Sequence, residues 1–61
     1  MSDQRASRFA SRLRLLRERH HWSQERLAER LQVSVATINR WEHAKSYPRA
    51  EQRSRICELL G

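Results

Sequence analysis

Apolar residues recur at intervals of three and four along most of this chain, and that spacing predicts helices. In the first segment Ala6, Phe9, Ala10, Leu13 and Leu16 share one face of a 3.6-residue turn. Arg5, Arg8 and Arg12 flank the stripe, and the first helix is read from roughly Arg5 to His20. Ser23 is placed to cap a second helix, because its hydroxyl can accept from a first-turn N–H. Trp22, one residue earlier, can pack on Leu27 as a hydrophobic staple. Arg26, not Glu, stands three residues after Ser23, so a full capping box is not expected. Leu27, Ala28 and Leu31 make the inward stripe of this short helix.

Ser34 offers a second cap, with Val33 just ahead of it, and Ile38 and Trp41 are the inward residues of a third helix. Lys45, Ser46, Tyr47 and Pro48 interrupt the pattern. Pro48 is compatible with the first turn of a fourth helix, because that turn's N–H groups have no intrahelical partner. There Ile56, Leu59 and Leu60 face inward, Cys57 is read as a buried small hydrophobe beside Ile56, and Gly61 is a C-terminal stop. Four short helices with tight connections predict a compact all-α domain over residues 1–61.

Two short helices separated by Gln32, Val33 and Ser34 form a helix-turn-helix arrangement over about 24–43. Ala28 is small where the two helices approach, and Leu27, Leu31, Val33, Ile38 and Trp41 supply the apolar contacts. With Ile38 and Trp41 inward, successive steps of about 100° put Ala36, Asn39, Arg40 and His43 on the opposite side. Val35 and Thr37 flank them near the helix start. Such a stripe can read base edges: Arg40 suits guanine, Asn39 suits adenine, and Val35, Ala36 or Thr37 can meet a thymine methyl. The competing reading of the stripe is a solvated helix face.

Composition narrows the choice. A chain of 61 residues buries only roughly 60% of its unfolded surface, which favours one small helical core. One Gly and one Pro disfavour an all-β fold, and one Cys excludes an internal disulfide. No apolar run is long enough to span a membrane, and Met1 to Arg5 lacks the apolar region of a signal peptide. Thirteen Lys and Arg against seven Asp and Glu give a formal net charge of +6, the footprint of a polyanion binder. All the basic residues but Lys45 are Arg, whose planar fork suits phosphate and guanine edges. His20, His21, His43 and Cys57 match no zinc spacing, and no nucleophile–base pair or glycine-rich phosphate loop points to catalysis. No enzyme activity, cofactor, metal or small-molecule site is therefore expected.

At this point the chain resembles a known family. Leu13-Arg14-Leu15-Leu16-Arg17, Trp22-Ser23-Gln24-Glu25-Arg26-Leu27-Ala28, Val33-Ser34, Ile38-Asn39-Arg40-Trp41-Glu42 and Tyr47-Pro48 look like the phage-repressor (Cro/C1, or XRE) helix-turn-helix family. The resemblance runs from about Leu13 to Leu60. It implies a lambda-repressor-like all-α fold and a recognition helix whose reading positions fall on Val35, Ala36, Thr37, Asn39 and Arg40. It implies that Gln24 touches a DNA phosphate and braces the recognition helix, and that Arg17 and Glu42 form a buried ion pair. The loop carrying Lys45, Ser46, Tyr47 and Arg49 is implied to lie on the DNA backbone. Ser23, at the start of the second helix, and His43 are placed as further backbone contacts. Independently, a helix N-terminus at Gln24 offers free N–H groups and partial positive charge to a phosphate. His21, Gln32 and Ala44 stand where the family often has glycine. If left-handed, each costs on the order of 1 kcal/mol.

The expectation is a sequence-specific binder of double-stranded DNA serving transcriptional regulation. It would be cytoplasmic and nucleoid-associated, of the bacterial or phage kind. A homodimer on two half-sites about one helical turn apart is the usual arrangement for the motif. The alternative is a protein-interaction module on the same fold within a larger signalling protein, for which Val35 and Ala36, in place of two polar residues, leave room. Without exposed aromatic platforms, RNA binding ranks behind both.

Overall fold

The computed structural model describes residues 4–61. Four helices follow one another: α1 (Gln4–Arg19), α2 (Gln24–Leu31), α3 (Val35–Glu42) and α4 (Ala50–Leu60). The core joins Leu13 of α1, Leu27, Ala28 and Leu31 of α2, Ile38 and Trp41 of α3, and Ile56 and Leu60 of α4. Phe9, Leu16, Trp22, Val33 and Leu59 close over its edges. These are the residues that three- and four-residue spacing places inward, so the periodic pattern and the packing agree. The helix α3 packs on both α1 and α2, and α2 also meets α4.

Local chemistry fixes the helix ends. Ser23 and Ser34 are extended, and their hydroxyls accept from Arg26 N–H at 3.0 Å and from Thr37 N–H at 3.1 Å. Each such cap satisfies a donor with no intrahelical partner and contributes about 1 kcal/mol. Three helices end alike, with a left-handed residue just past the helix: His21 (φ +59°), Gln32 (φ +59°) and Ala44 (φ +58°). After α2, Gln32 N–H reaches the Glu29 carbonyl and Val33 N–H reaches that of Ala28, a Schellman closure. The same paired bonds run from His21 and Trp22 to Glu18 and Arg17, and from Ala44 and Lys45 to Trp41 and Arg40. None of the three is glycine, so each turn carries the Cβ strain of the left-handed region, on the order of 1 kcal/mol.

Two expectations are corrected. Pro48 does not enter the first turn of α4. It is buried before the helix, and Arg49 is the extended N-cap, its N–H donating to Gln52 Oε1 at 3.2 Å. Arginine has no side-chain acceptor, so only this half of a capping box forms. Cys57 is exposed rather than buried. The inward line of α4 is Ile56 and Leu60, and a step of about 100° beyond Ile56 turns Cys57 outward.

Candidate nucleic-acid interface

The site begins with what holds α3 in place. Glu42, in its last turn, is buried, and its carboxylate gathers donors from two other helices. Arg17 of α1 donates Nε to Oε2 at 2.6 Å and Nη2 to Oε1 at 3.1 Å, a bidentate ion pair. Gln24, the first residue of α2, donates its amide Nε2 to Oε1 at 3.1 Å. Arg17 Nη1 also donates to the Trp22 carbonyl at 2.7 Å, tying the pair to the α1–α2 turn. The side chains of Arg17 and Glu42 are 14% and 2% exposed, so water screens this pair little. The hydrogen bonds that Arg17 donates to the Glu42 carboxylate hold its guanidinium above its ordinary pKa despite partial burial. One carboxylate thus ties the end of the recognition helix to α1 and to the start of α2.

With Ile38, Trp41 and Glu42 buried, the remaining face of α3 is turned out. Val35 is 40% exposed, and Ala36, Asn39 and Arg40 are exposed along with it. Thr37 is half-buried, and its hydroxyl bonds that of Ser34 at 2.9 Å, so its polar group already serves the cap. His43 is exposed but turns back on its own helix. Its Nδ1 lies 2.8 Å from the Asn39 carbonyl, which can only accept, so Nδ1 carries the proton. The outward stripe of α3 is therefore short: two small aliphatic groups at its start, then an amide and a guanidinium.

The other residues singled out by the sequence lie in two places. Ser23 and Gln24 mark the start of α2, where Ser23 is exposed and Gln24 is half-buried because its amide is engaged by Glu42. In the segment between α3 and α4, Lys45 and Arg49 are exposed, whereas Ser46 and Tyr47 are half-buried. Tyr47 is held edge-on by Phe9 at 5.5 Å between ring centroids. Two guanidiniums that the sequence pattern does not single out also lie over this ring, from Arg5 and Arg53. The one sequence cue is that Arg5 precedes Phe9 by four and so shares its side of α1. The pairing across more than forty positions of chain is invisible before folding.

The outward stripe can make hydrogen bonds and methyl contacts to flat edges, and the cations around it can neutralise phosphates. Among the described residues no group of three or more His, Cys, Asp or Glu is placed to hold a metal ion. No helix among them is long and apolar enough to cross a membrane.

The chain matches the helix-turn-helix family over residues 13–61. It is 44% identical over 52 residues to the HTH-type transcriptional activator BcrR of Enterococcus faecalis, an alignment covering 85% of this chain and 26% of that protein. The chain thus spans about a quarter of the length of this curated relative. No solved structure matches it significantly.

Proposed function

This chain belongs to the helix-turn-helix family, of the Cro/C1 kind, and from that membership we propose that it reads double-stranded DNA in a sequence-specific manner as part of a transcriptional regulator. The observation that carries the proposal is the division of α3 into a locked inner side and a short exposed stripe of Val35, Ala36, Asn39 and Arg40. A helix held from behind and bare in front is what the major groove admits. In this reading Arg40 and Asn39 meet base edges, while Val35, Ala36 and the Thr37 methyl pack against thymine methyls. Ser23, His43, Lys45, Ser46, Tyr47 and Arg49 border the stripe and contact the backbone, supplying most of the affinity.

Gln24 has a double role here: its amide braces Glu42, and the free N–H groups beside it at the start of α2 face a phosphate. The whole chain acts as one DNA-binding domain without catalysis, works in the cytoplasm, and binds most tightly as a pair of copies on two half-sites. Its similarity to a named transcriptional activator supports the regulatory role.

Selection of bound sequences from a random duplex library tests the proposal. The expected result is a short enriched motif, with affinity for random duplex falling steeply as salt rises. Absence of duplex binding at low salt would instead favour a protein-interaction role for the same stripe.

A further inference from the structure

On α1 the outward face carries an apolar side chain flanked by cations. Large apolar side chains stand exposed at two described positions: Val35, which belongs to the stripe of α3, and Leu15 of α1, 55% exposed. Leu15 is two residues from both Leu13, in the core, and Arg17, which holds Glu42 of α3. Two residues turn a helix by about 200°, so Leu15 points away from the core and from α3. Arg8, Arg12 and Arg19 lie within about 60° of Leu15 around the axis, and all three are exposed. Arg17 and Arg26 have carboxylate partners, whereas Arg8, Arg12 and Arg19 pair with none among the described residues. Glu18 is the one carboxylate on α1 and stands at the border of this face, with Arg14 one turn before it. Ser7 and Ser11 are small, and with Arg8, Arg12 and Leu15 they line a shallow open hollow.

We propose that this face of α1 docks an acidic amphipathic helix of another protein, with Leu15 as the buried anchor and Arg8, Arg12 and Arg19 as the charged rim. The charge on the face selects a partner rich in Asp and Glu. A second copy of this chain would set the three arginines against their own kind. Duplex DNA would satisfy the arginines but would leave Leu15 facing phosphates, which gain nothing from an apolar group. From Ser7 to Arg19 the face runs about 18 Å along the axis, the length of a partner helix of about three turns. One apolar anchor inside a polar rim makes a small, reversible contact. Because the face looks away from α3, the recognition stripe stays free while it is occupied. The inference does not depend on the DNA-binding reading, and its test needs no duplex to bind.

The probe is a labelled synthetic peptide of about 15 residues, with leucines at helical spacing on one side and glutamates elsewhere. A second peptide of the same composition has its leucines scattered. Parent, Leu15→Ser and Arg12→Gln are titrated at about 50 and 200 mM salt, with melts confirming that each is folded. The patterned peptide is expected to bind the parent about tenfold more tightly than the scattered one. Leu15→Ser is expected to weaken it about tenfold at both salts, and Arg12→Gln by about threefold at low salt and less at high salt. On the parent, peptide-induced amide shifts are expected over residues 7–19 and not over 35–43, which decides the matter even if a variant fails to fold. Equal binding of the two peptides, or shifts centred on α3, would reduce the face to a solvated basic surface and overturn the proposal. So would a parent that self-associates through this face, read as a dimer that Leu15→Ser dissociates. A loss of duplex affinity in Leu15→Ser as large as its loss of peptide affinity would assign the face to DNA instead.

Discussion

The two sides of α3 have opposite characters, although the same eight residues make both. On the inner side Ile38, Trp41 and Glu42 are buried, and each Glu42 oxygen has at least one donor. On the outer side Val35, Ala36, Asn39 and Arg40 stand in solvent. Neighbours in sequence such as Arg40 and Trp41 therefore have unrelated tasks, being about 100° apart around the helix. The inner side fixes where the helix lies, and the outer side is left to choose what it meets. Substitutions on the inner side are expected to remove the fold and those on the outer side the preference, which a set of variants can break or sharpen.

The largest effect is expected at Glu42. Removing one partner of a buried, hydrogen-bonded pair strands the other charge and costs roughly 3–5 kcal/mol. A domain of this size has little more than that in total. Glu42→Ala is therefore expected to be largely unfolded near 37 °C, with DNA binding lost along with the helical signal. A melt within a few degrees of the parent would make the pair a surface feature and erase the contrast between the two sides.

Next comes Arg40→Ala, with a loss of about 1–3 kcal/mol on the selected site and much less on random duplex. The melting temperature is expected to stay near that of the parent. Equal losses on both duplexes would reduce Arg40 to a phosphate contact.

Gln24→Ala should fall between the two behaviours. It removes one of the hydrogen bonds to Glu42, worth about 1 kcal/mol, and lowers the melting temperature by several degrees. Because Gln24 lies at the start of α2, binding to all duplexes should weaken by a similar factor. A changed base preference at unchanged overall affinity would contradict that.

The smallest effect is expected from Gln32→Gly or Ala44→Gly. Each relieves the Cβ strain of a left-handed residue, partly offset by the greater freedom of glycine when unfolded, for a net gain of roughly 0.5–1 kcal/mol. Neither substitution removes a side chain from the inner or the outer side of α3, so base preference should not change. Altered preference in equilibrium binding would show that turn geometry sets the reach of the helix.

Much of this was legible in the sequence because it is local. Ser23 and Ser34 cap helices through bonds three residues long, and the spacing of Leu27, Leu31, Ile38 and Trp41 named the core before any packing was known. Where the reading failed, one side of a helix had to be chosen among near-equals. Cys57 and Ile56 are adjacent and both apolar, and only the position of α4 on the core decides which turns in. Pro48 suits either the first turn of a helix or the approach to one, and Arg49 accepting the cap position settled it.

The sequence by itself determined the helices, their caps, the inner stripe of each and the basic excess, because periodicity, capping and charge act within a few residues. Tertiary structure alone decided that Gln24 joins the Arg17–Glu42 pair, that His43 folds back on Asn39, and that Arg5 and Arg53 gather on Tyr47. Gln24 and Arg5 meet partners eighteen or more positions away, whereas Arg53 reaches back over the segment between α3 and α4, and no local pattern records which side chains meet once the helices cross. For His43 the partner is local, but its ring had a choice between solvent and a carbonyl four residues back, and only the folded helix end made that choice.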